Sequence, residues 1–179
     1  MSAAVRPRYS ALARSYHWIT FALVAAAYLT INLRGMFERG SEARTLVVES
    51  HFVAGLAVLL LVVPRLLNRI GERAPPIAPP LPAWMRALSH LTHGLLYAFL
   101  VVQPLLGVTT RLAEGKGVGL PFTERVIPSF FGARPGLAET LEPVHIWLGE
   151  AFYWVIGLHI LAALYHWAIR RDNTLQRMA

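Results

Sequence analysis

Cysteine is absent from this chain of 179 residues. Its absence excludes disulfides, iron–sulfur clusters and the C-x-x-C-H attachment of a c-type haem. Charge is also sparse, since only 15% of the residues are charged while 55% are hydrophobic. Together with a mean hydropathy of +0.47, this composition is typical of an integral membrane protein rather than a soluble domain.

Four apolar segments are long enough to cross a hydrocarbon core of about 30 Å. They predict an all-α fold, an antiparallel transmembrane four-helix bundle that forms a single domain over residues 1–179. The first segment lacks a small-residue cleavage pattern, so we expect a mature span rather than a signal peptide. The predicted spans cover about residues 15–33, 46–67, 88–110 and 144–169.

The segments between the spans differ in length and composition. We expect a short polar connection at 34–49, a stiff proline-rich connector at 71–82 and a short interfacial piece at 83–89. The long Gly- and Pro-rich loop at 111–143 either covers one end of the bundle or is a plain spacer. Pro143 suits the first turn of the fourth helix, where its missing N–H costs nothing.

The formal net charge of +7 comes from cations that collect on one side of the predicted membrane. This distribution argues against a nucleic-acid partner. Ten cations lie on one side of the predicted membrane, opposed only by Glu72 and Asp172, whereas the other two loops hold seven cations among seven acids. The positive-inside rule then predicts that this side is cytoplasmic, with both termini inside the cell. The ten cations are Arg6, Arg8, Arg14, Arg65, Arg69, Arg73, Arg86, Arg170, Arg171 and Arg177.

His145 and His159 lie fourteen residues apart in the fourth segment. In an α-helix this spacing advances roughly 21 Å and returns to within about 40° of the starting direction. Two imidazoles on one face at opposite membrane depths suggest two haems, because imidazole is an axial ligand of haem iron and histidine inside a bilayer tends to be functional.

The predicted topology sorts the seven histidines by depth. The outer half contains His51 and His145, which we expect to ligate one haem. The inner half offers five, of which His90 and His166 lie close to the surface. Depth favours His17 as the partner of His159, with His93 as the main competitor. The alternative without haem is a histidine-lined proton transporter. A zinc site is disfavoured because no acid or cysteine accompanies these histidines within the spans.

Small residues accompany the histidines along the spans. Glycines let membrane helices approach closely, and they could equally leave room for a porphyrin. The glycines in question are Gly55, Gly94, Gly107, Gly149 and Gly157.

Several motifs resemble the bacterial di-haem cytochrome b561 family in order along nearly the whole chain. They are YSALARSYHW from Tyr9, RG at Arg34, HFVAG from His51, HLTHGLLY from His90, VIGLHILAALYH from Val155 and DNTLQRM from Asp172. Related cytochrome b subunits of formate dehydrogenase and nickel hydrogenase share the haem arrangement. The resemblance implies two haem b groups, one held by His17 and His159 and the other by His51 and His145.

The resemblance also implies electron transfer involving a quinone. One branch of the family is a superoxide oxidase, which implies superoxide as the periplasmic donor and ubiquinone as the acceptor. Arg34 is then the predicted cation for superoxide steering, with Arg111 and Lys116 as lesser candidates, and His93, His90 or His166 would serve a quinone site. The alternative is a relay subunit that passes electrons between quinol and a dehydrogenase or a periplasmic redox partner.

Overall fold

In a computed structural model, which describes residues 8–130 and 132–179, four long helices dominate the chain. All four are long and apolar enough to cross a membrane. They are α1 (Ala11–Leu33), α2 (Glu42–Gly71), α3 (Ala83–Ala113) and α4 (Pro135–Tyr165). Arg6 lies outside the described residues, so its part in the charge pattern stays a prediction.

The helix ends follow from local chemistry. The side chains of Ser10 and Ser41 accept hydrogen bonds from the first turns of α1 and α2, as N-cap residues do. A single 3-10 turn, Arg34–Met36, follows α1, and a π-helical turn, His166–Arg170, extends α4. These caps and turns satisfy backbone groups that a helix end leaves unpaired.

The bundle is antiparallel, and neighbouring helices in the sequence pack side by side. Val58, Val62 and Leu100 form its buried core where α2 meets α3, and Phe99 of α3 stacks on Phe152 of α4 with ring centres 4.1 Å apart. Many large apolar side chains face outwards, including Leu60 and Trp154. Such an exterior is the expected surface of a helix bundle in lipid.

Both described termini lie at one end of the bundle, called here the inner end. The C-terminal segment, residues 172–179, crosses this end and joins it together. Asn173 bonds to the backbone of Pro76 and Ala78 in the proline-rich connector, and Trp18 of α1 donates to Met178 O. The connector that the sequence marked as stiff is therefore also fixed by the tail.

The opposite, outer end carries a small hairpin between α3 and α4. Strands β1 (Val118–Gly119) and β2 (Val126–Ile127) pair antiparallel, and Val118 is buried. The hairpin base is closed where Arg134 N donates to Ala113 O at 2.7 Å. The loop at 111–143 is thus partly ordered rather than irregular.

Three local predictions were wrong. Helix α4 begins at Pro135, with that proline in its first turn, and Pro143 lies inside the helix. Proline's preference for the first turn of a helix is met by Pro135, eight residues earlier. Inside the helix, Pro143 removes one backbone hydrogen bond. Residues 83–89 are the first turns of α3 rather than a separate piece, and α2 begins at Glu42 within the expected polar connection.

Candidate functional site

The outer histidine pair lies between α2 and α4. His51 and His145 face each other with ring centres 6.2 Å apart and ring planes at 80°. Two imidazoles on opposite sides of one iron hold their ring centres about 6 Å apart, because a metal–nitrogen bond is about 2 Å and the nitrogen lies about 1 Å from the ring centre. The observed separation therefore fits one iron between the two rings.

Each outer histidine is oriented by a backbone carbonyl of a neighbouring helix. His51 Nδ1 lies 2.9 Å from Ala27 O of α1, and His145 Nδ1 lies 3.1 Å from Gln103 O of α3. A carbonyl oxygen can only accept, so both Nδ1 atoms carry the proton and donate it. Both Nε2 atoms are left with a free lone pair, which is the tautomer that binds a metal.

A cavity of about 570 Å³ surrounds this outer pair and is lined by both histidines. Its size falls within the roughly 300–1,000 Å³ of cofactor sites. A Cβ added to Gly107 would lie only 3.0 Å from the His145 ring, whereas one added to Gly55 would meet nothing within 4 Å. Gly107 permits the close approach of α3 to His145, and Gly55 leaves open space beside His51.

Charged side chains line the mouth of the cavity. Glu114 lies 3.5 Å from Arg111 and 3.2 Å from Lys116, so these two predicted steering cations share one carboxylate. Arg34 also lines the cavity, and within the described part of the chain no carboxylate lies within 4 Å of it. Among the described cations that line the cavity, Arg34 is thus the one without a carboxylate in direct contact.

The inner end brings three histidines together. His17 of α1 lies with its ring centre 6.4 Å from that of His159 on α4, close to the separation expected for one iron. His93 of α3 is nearer, at 5.5 Å from His159, and its Nδ1 donates to Ser89 O at 2.6 Å. Distance therefore favours His17 as the partner of His159. The hydrogen bond to Ser89 O leaves the Nε2 lone pair of His93 free, so His93 is the alternative partner.

Arg65 of α2 lies beside the inner pair. Its Nη2 is 3.5 Å from His17 Nδ1, at the long limit of a hydrogen bond. A guanidinium only donates, so His17, unlike His51 and His145, has no acceptor that fixes the metal-binding tautomer. This contact is the feature of the inner pair that fits a haem least well.

The other two histidines lie apart from both pairs. His90 is exposed near the start of α3. His166 bonds to the buried carboxylate of Asp172 at 2.6 Å. His166 thus serves the anchoring of the C-terminal segment, and neither residue is placed between two helices as a ligand would be.

Sequence reasoning missed several residues of the site. The Gln103 side chain donates to His145 O at 2.9 Å, and Tyr28 donates to Gly149 O at 2.7 Å. A polar residue inside a predicted span was the available signal for Gln103. Arg65 was counted only as a topology charge, although it lies fourteen residues after His51, the same spacing that links His145 to His159.

The fold and the site together indicate the class of protein to which this chain belongs. The chain is a multi-pass membrane protein, a helix bundle in which histidines of different helices approach each other near both ends. It belongs to the prokaryotic cytochrome b561 family, whose profile matches residues 8–179. Members of this family bind b-type haem and transfer electrons in membranes.

Individual relatives match almost end to end. The "Probable superoxide oxidase CybB" of Yersinia pestis is 34% identical over 176 residues, covering 96% of this chain and 95% of that protein. "Cytochrome b561 homolog 1" of Escherichia coli (strain K12) is 35% identical over 162 residues, with 90% and 91% covered. "Cytochrome b561 homolog 2" of the same organism is 25% identical over 180 residues, with 96% and 90% covered.

Proposed function

We propose that this protein is a superoxide:ubiquinone oxidoreductase of the bacterial inner membrane that holds two haem b groups. The observation that carries the proposal is the pair of facing imidazoles at each end of the bundle, with ring centres 6.2 Å and 6.4 Å apart. His51 and His145 would hold the outer haem, and His17 and His159 the inner one. Each iron, when bound, supplies a one-electron carrier.

The outer end supports superoxide as the donor. Superoxide is a small anion, and a cation that lines a cavity and has no carboxylate in direct contact raises the rate at which anions arrive. Arg34 has that position. The name of the Yersinia pestis relative points to the same substrate. Two superoxide ions would be oxidised to two molecules of oxygen for each ubiquinone that takes two electrons and two protons.

The inner end supports a quinone site. His93 lies next to His159 and is exposed, so a quinone in the membrane could reach it. Its Nδ1–H is engaged with Ser89, and the remaining Nε2 could donate to a quinone carbonyl when protonated. Under this proposal His93 supplies a proton and does not ligate iron.

Optical spectra of alanine variants test the ligand assignment. We expect His51→Ala or His145→Ala to remove one haem, and His17→Ala or His159→Ala to remove the other. His90→Ala is the matched control, because it removes an exposed histidine and should leave both haems. Loss of a haem in His93→Ala but not in His17→Ala would show that the inner pairing is wrong.

A superoxide assay tests the activity. Purified protein with ubiquinone should accelerate superoxide loss and produce ubiquinol. Arg34→Gln should slow the reaction and weaken its dependence on ionic strength, whereas Arg39→Gln, with the same change in net charge away from the lining of the cavity, should have a smaller effect. A protein that carries haem but gives no acceleration over the uncatalysed rate would refute the superoxide step.

A relay subunit is the second candidate. The outer hairpin region exposes Phe122 and Phe130, with 88% and 76% of their surfaces accessible, and exposed aromatic groups are common in protein contact sites. In this case a redox partner should co-purify from membranes in fixed stoichiometry, and the isolated chain should show little activity with superoxide.

A further inference from the structure

Arg65 occupies on α2 the place that His159 occupies on α4. His51 and Arg65 are fourteen residues apart, as are His145 and His159, so each helix presents one residue at the outer level and one at the inner level. On α4 both residues are histidines. On α2 the inner residue is a cation, and it reaches the inner histidine pair.

The guanidinium is held in place by Tyr16 and Tyr97 and lies beside His17. Arg65 Nη1 donates to Tyr16 O at 3.2 Å, the guanidinium carbon lies 5.4 Å from the centre of the Tyr97 ring, and Nη2 is 3.5 Å from His17 Nδ1. The side chain is only partly accessible. A charge fixed in this way is screened less by solvent and ions than a mobile surface charge.

The two ends of the bundle differ in how this charge is compensated. Within residues 8–130 and 132–179, no carboxylate lies within 4 Å of Arg65. The outer cavity, by contrast, is lined by three cations and three carboxylates, namely Arg34, Arg111, Lys116, Glu114, Glu142 and Glu150. A cation therefore lies in contact with the inner pair, whereas the hydrogen-bond partners of His51 and His145 are backbone carbonyls.

We propose that Arg65 makes the inner haem the better electron acceptor and so sets the direction of electron transfer from the outer to the inner end. Reduction lowers the positive charge on iron, and a nearby fixed cation stabilises the reduced form more than the oxidised one. With haem held by each histidine pair, one electron would pass from the group held by His51 and His145 to the group held by His17 and His159, so that the first is oxidised and the second reduced. This inference rests on the proposed two-haem function, which already runs from an outer donor to an inner quinone, and adds the residue that favours that direction.

Redox titration followed by optical spectroscopy tests this role without any activity measurement. Arg65→Gln should shift the midpoint of the inner haem to more negative potential and leave the outer one in place. The equilibrium constant for moving an electron inwards should fall by roughly tenfold. Titration in a His145→Ala background, which should retain only the inner haem, assigns the shifted wave.

Two further variants separate charge from structure. Arg65→Lys keeps the charge and should keep the inner midpoint close to that of the wild type. Arg69→Gln is the matched control, because Arg69 is one turn further towards the inner surface, where its side chain bonds to Glu72 O, and its loss should shift the inner midpoint less than the loss of Arg65. If Arg65→Gln loses the inner haem, Arg65→Lys decides the question, since a lowered inner midpoint there would contradict an effect of charge.

The results that overturn the inference differ from those that overturn the proposed function. An unchanged or raised inner midpoint in Arg65→Gln, or an equal shift of both haems, would eliminate the role of Arg65 and leave the two-haem assignment standing. A wild-type protein that binds fewer than two haems would refute the proposed function before any Arg65 variant is made.

Discussion

The side chain of Gly107 is a single hydrogen atom, and this small size lets α3 lie close to the His145 ring at the outer site. A Cβ at this position would lie 3.0 Å from His145 Cε1, so a larger side chain must displace the imidazole from its present position. We expect Gly107→Val to weaken or abolish the outer haem, at a packing cost of about 1–3 kcal/mol. Absorbance of the two haems in purified protein measures this directly.

Gly94→Val is the control for that substitution. Gly94 is on the same helix, but a Cβ there would meet nothing within 4 Å. The Gly94→Val variant should therefore retain the outer haem, although it carries the same β-branched side chain in α3. Equal loss of the outer haem in both variants would mean that valine disturbs α3 itself, and the contact with His145 would not explain the result.

Histidine depth could be predicted at the scale of single residues, but hydrogen-bond partners could not. Spacing along α4 and the order of the spans placed His51 opposite His145, and the two rings do face each other. Their anchors are the carbonyls of Ala27 and Gln103. Every residue has a carbonyl, so no residue type marks these two in the sequence.

At the scale of elements, the spans were predictable because lipid requires long apolar helices with satisfied backbones. The outer hairpin was not, because strands of two residues show no alternating pattern. The start of α4 was placed too late because proline disfavours a helix interior on average. Pro143 is tolerated there, as Pro64 and Pro104 are in α2 and α3.

The C-terminal segment is the element whose stability depends on one carboxylate. Asp172 is buried, and it accepts from His166 at 2.6 Å, from Arg170 Nε at 2.9 Å and from Thr174 N at 2.9 Å. Burial alone would raise the pKa of Asp172, but the hydrogen bonds from Thr174 and His166 lower it below its ordinary value. The segment is therefore anchored by an ionised group.

Removing that charge should loosen the inner end. We expect Asp172→Asn to destabilise the protein by about 2 kcal/mol at neutral pH, since it leaves Arg170 without its anionic partner. Thermal unfolding in detergent and protease cleavage near residue 172 should both report the change. Gln176→Glu is a useful comparison, because it adds an acid at an exposed position of the same segment and leaves Asp172 intact.

The dependence on pH follows from the lowered pKa of Asp172. A carboxyl whose pKa falls on folding stabilises the folded state above its unfolded pKa of about 4, and this stabilisation is lost as the pH falls through the lower, folded value. The stability difference between the wild type and Asp172→Asn should thus stay constant from about pH 5 to 8 and shrink below about pH 4. A difference that vanished near pH 6 would assign the effect to another group.

At the scale of the whole molecule, the direction of electron transfer relative to the cell depends on how the protein is oriented in the membrane. An electron path from the outer to the inner end carries electrons into the cell only if the inner end faces the cytoplasm. The charge pattern predicts that orientation by the positive-inside rule. The same orientation puts Arg34 on the periplasmic side, where superoxide would arrive, and Arg65 and His93 near the cytoplasmic surface.

The absence of cysteine makes this orientation simple to test, because one introduced thiol has no background. Gln176→Cys is exposed in the C-terminal segment and Glu124→Cys is exposed in the outer hairpin. In intact spheroplasts, a membrane-impermeant maleimide should label Glu124→Cys and leave Gln176→Cys unlabelled until the membrane is opened. The reverse pattern would place Arg34 in the cytoplasm, where the proposed periplasmic donor could not reach it, and the flow towards Arg65 would then run outwards.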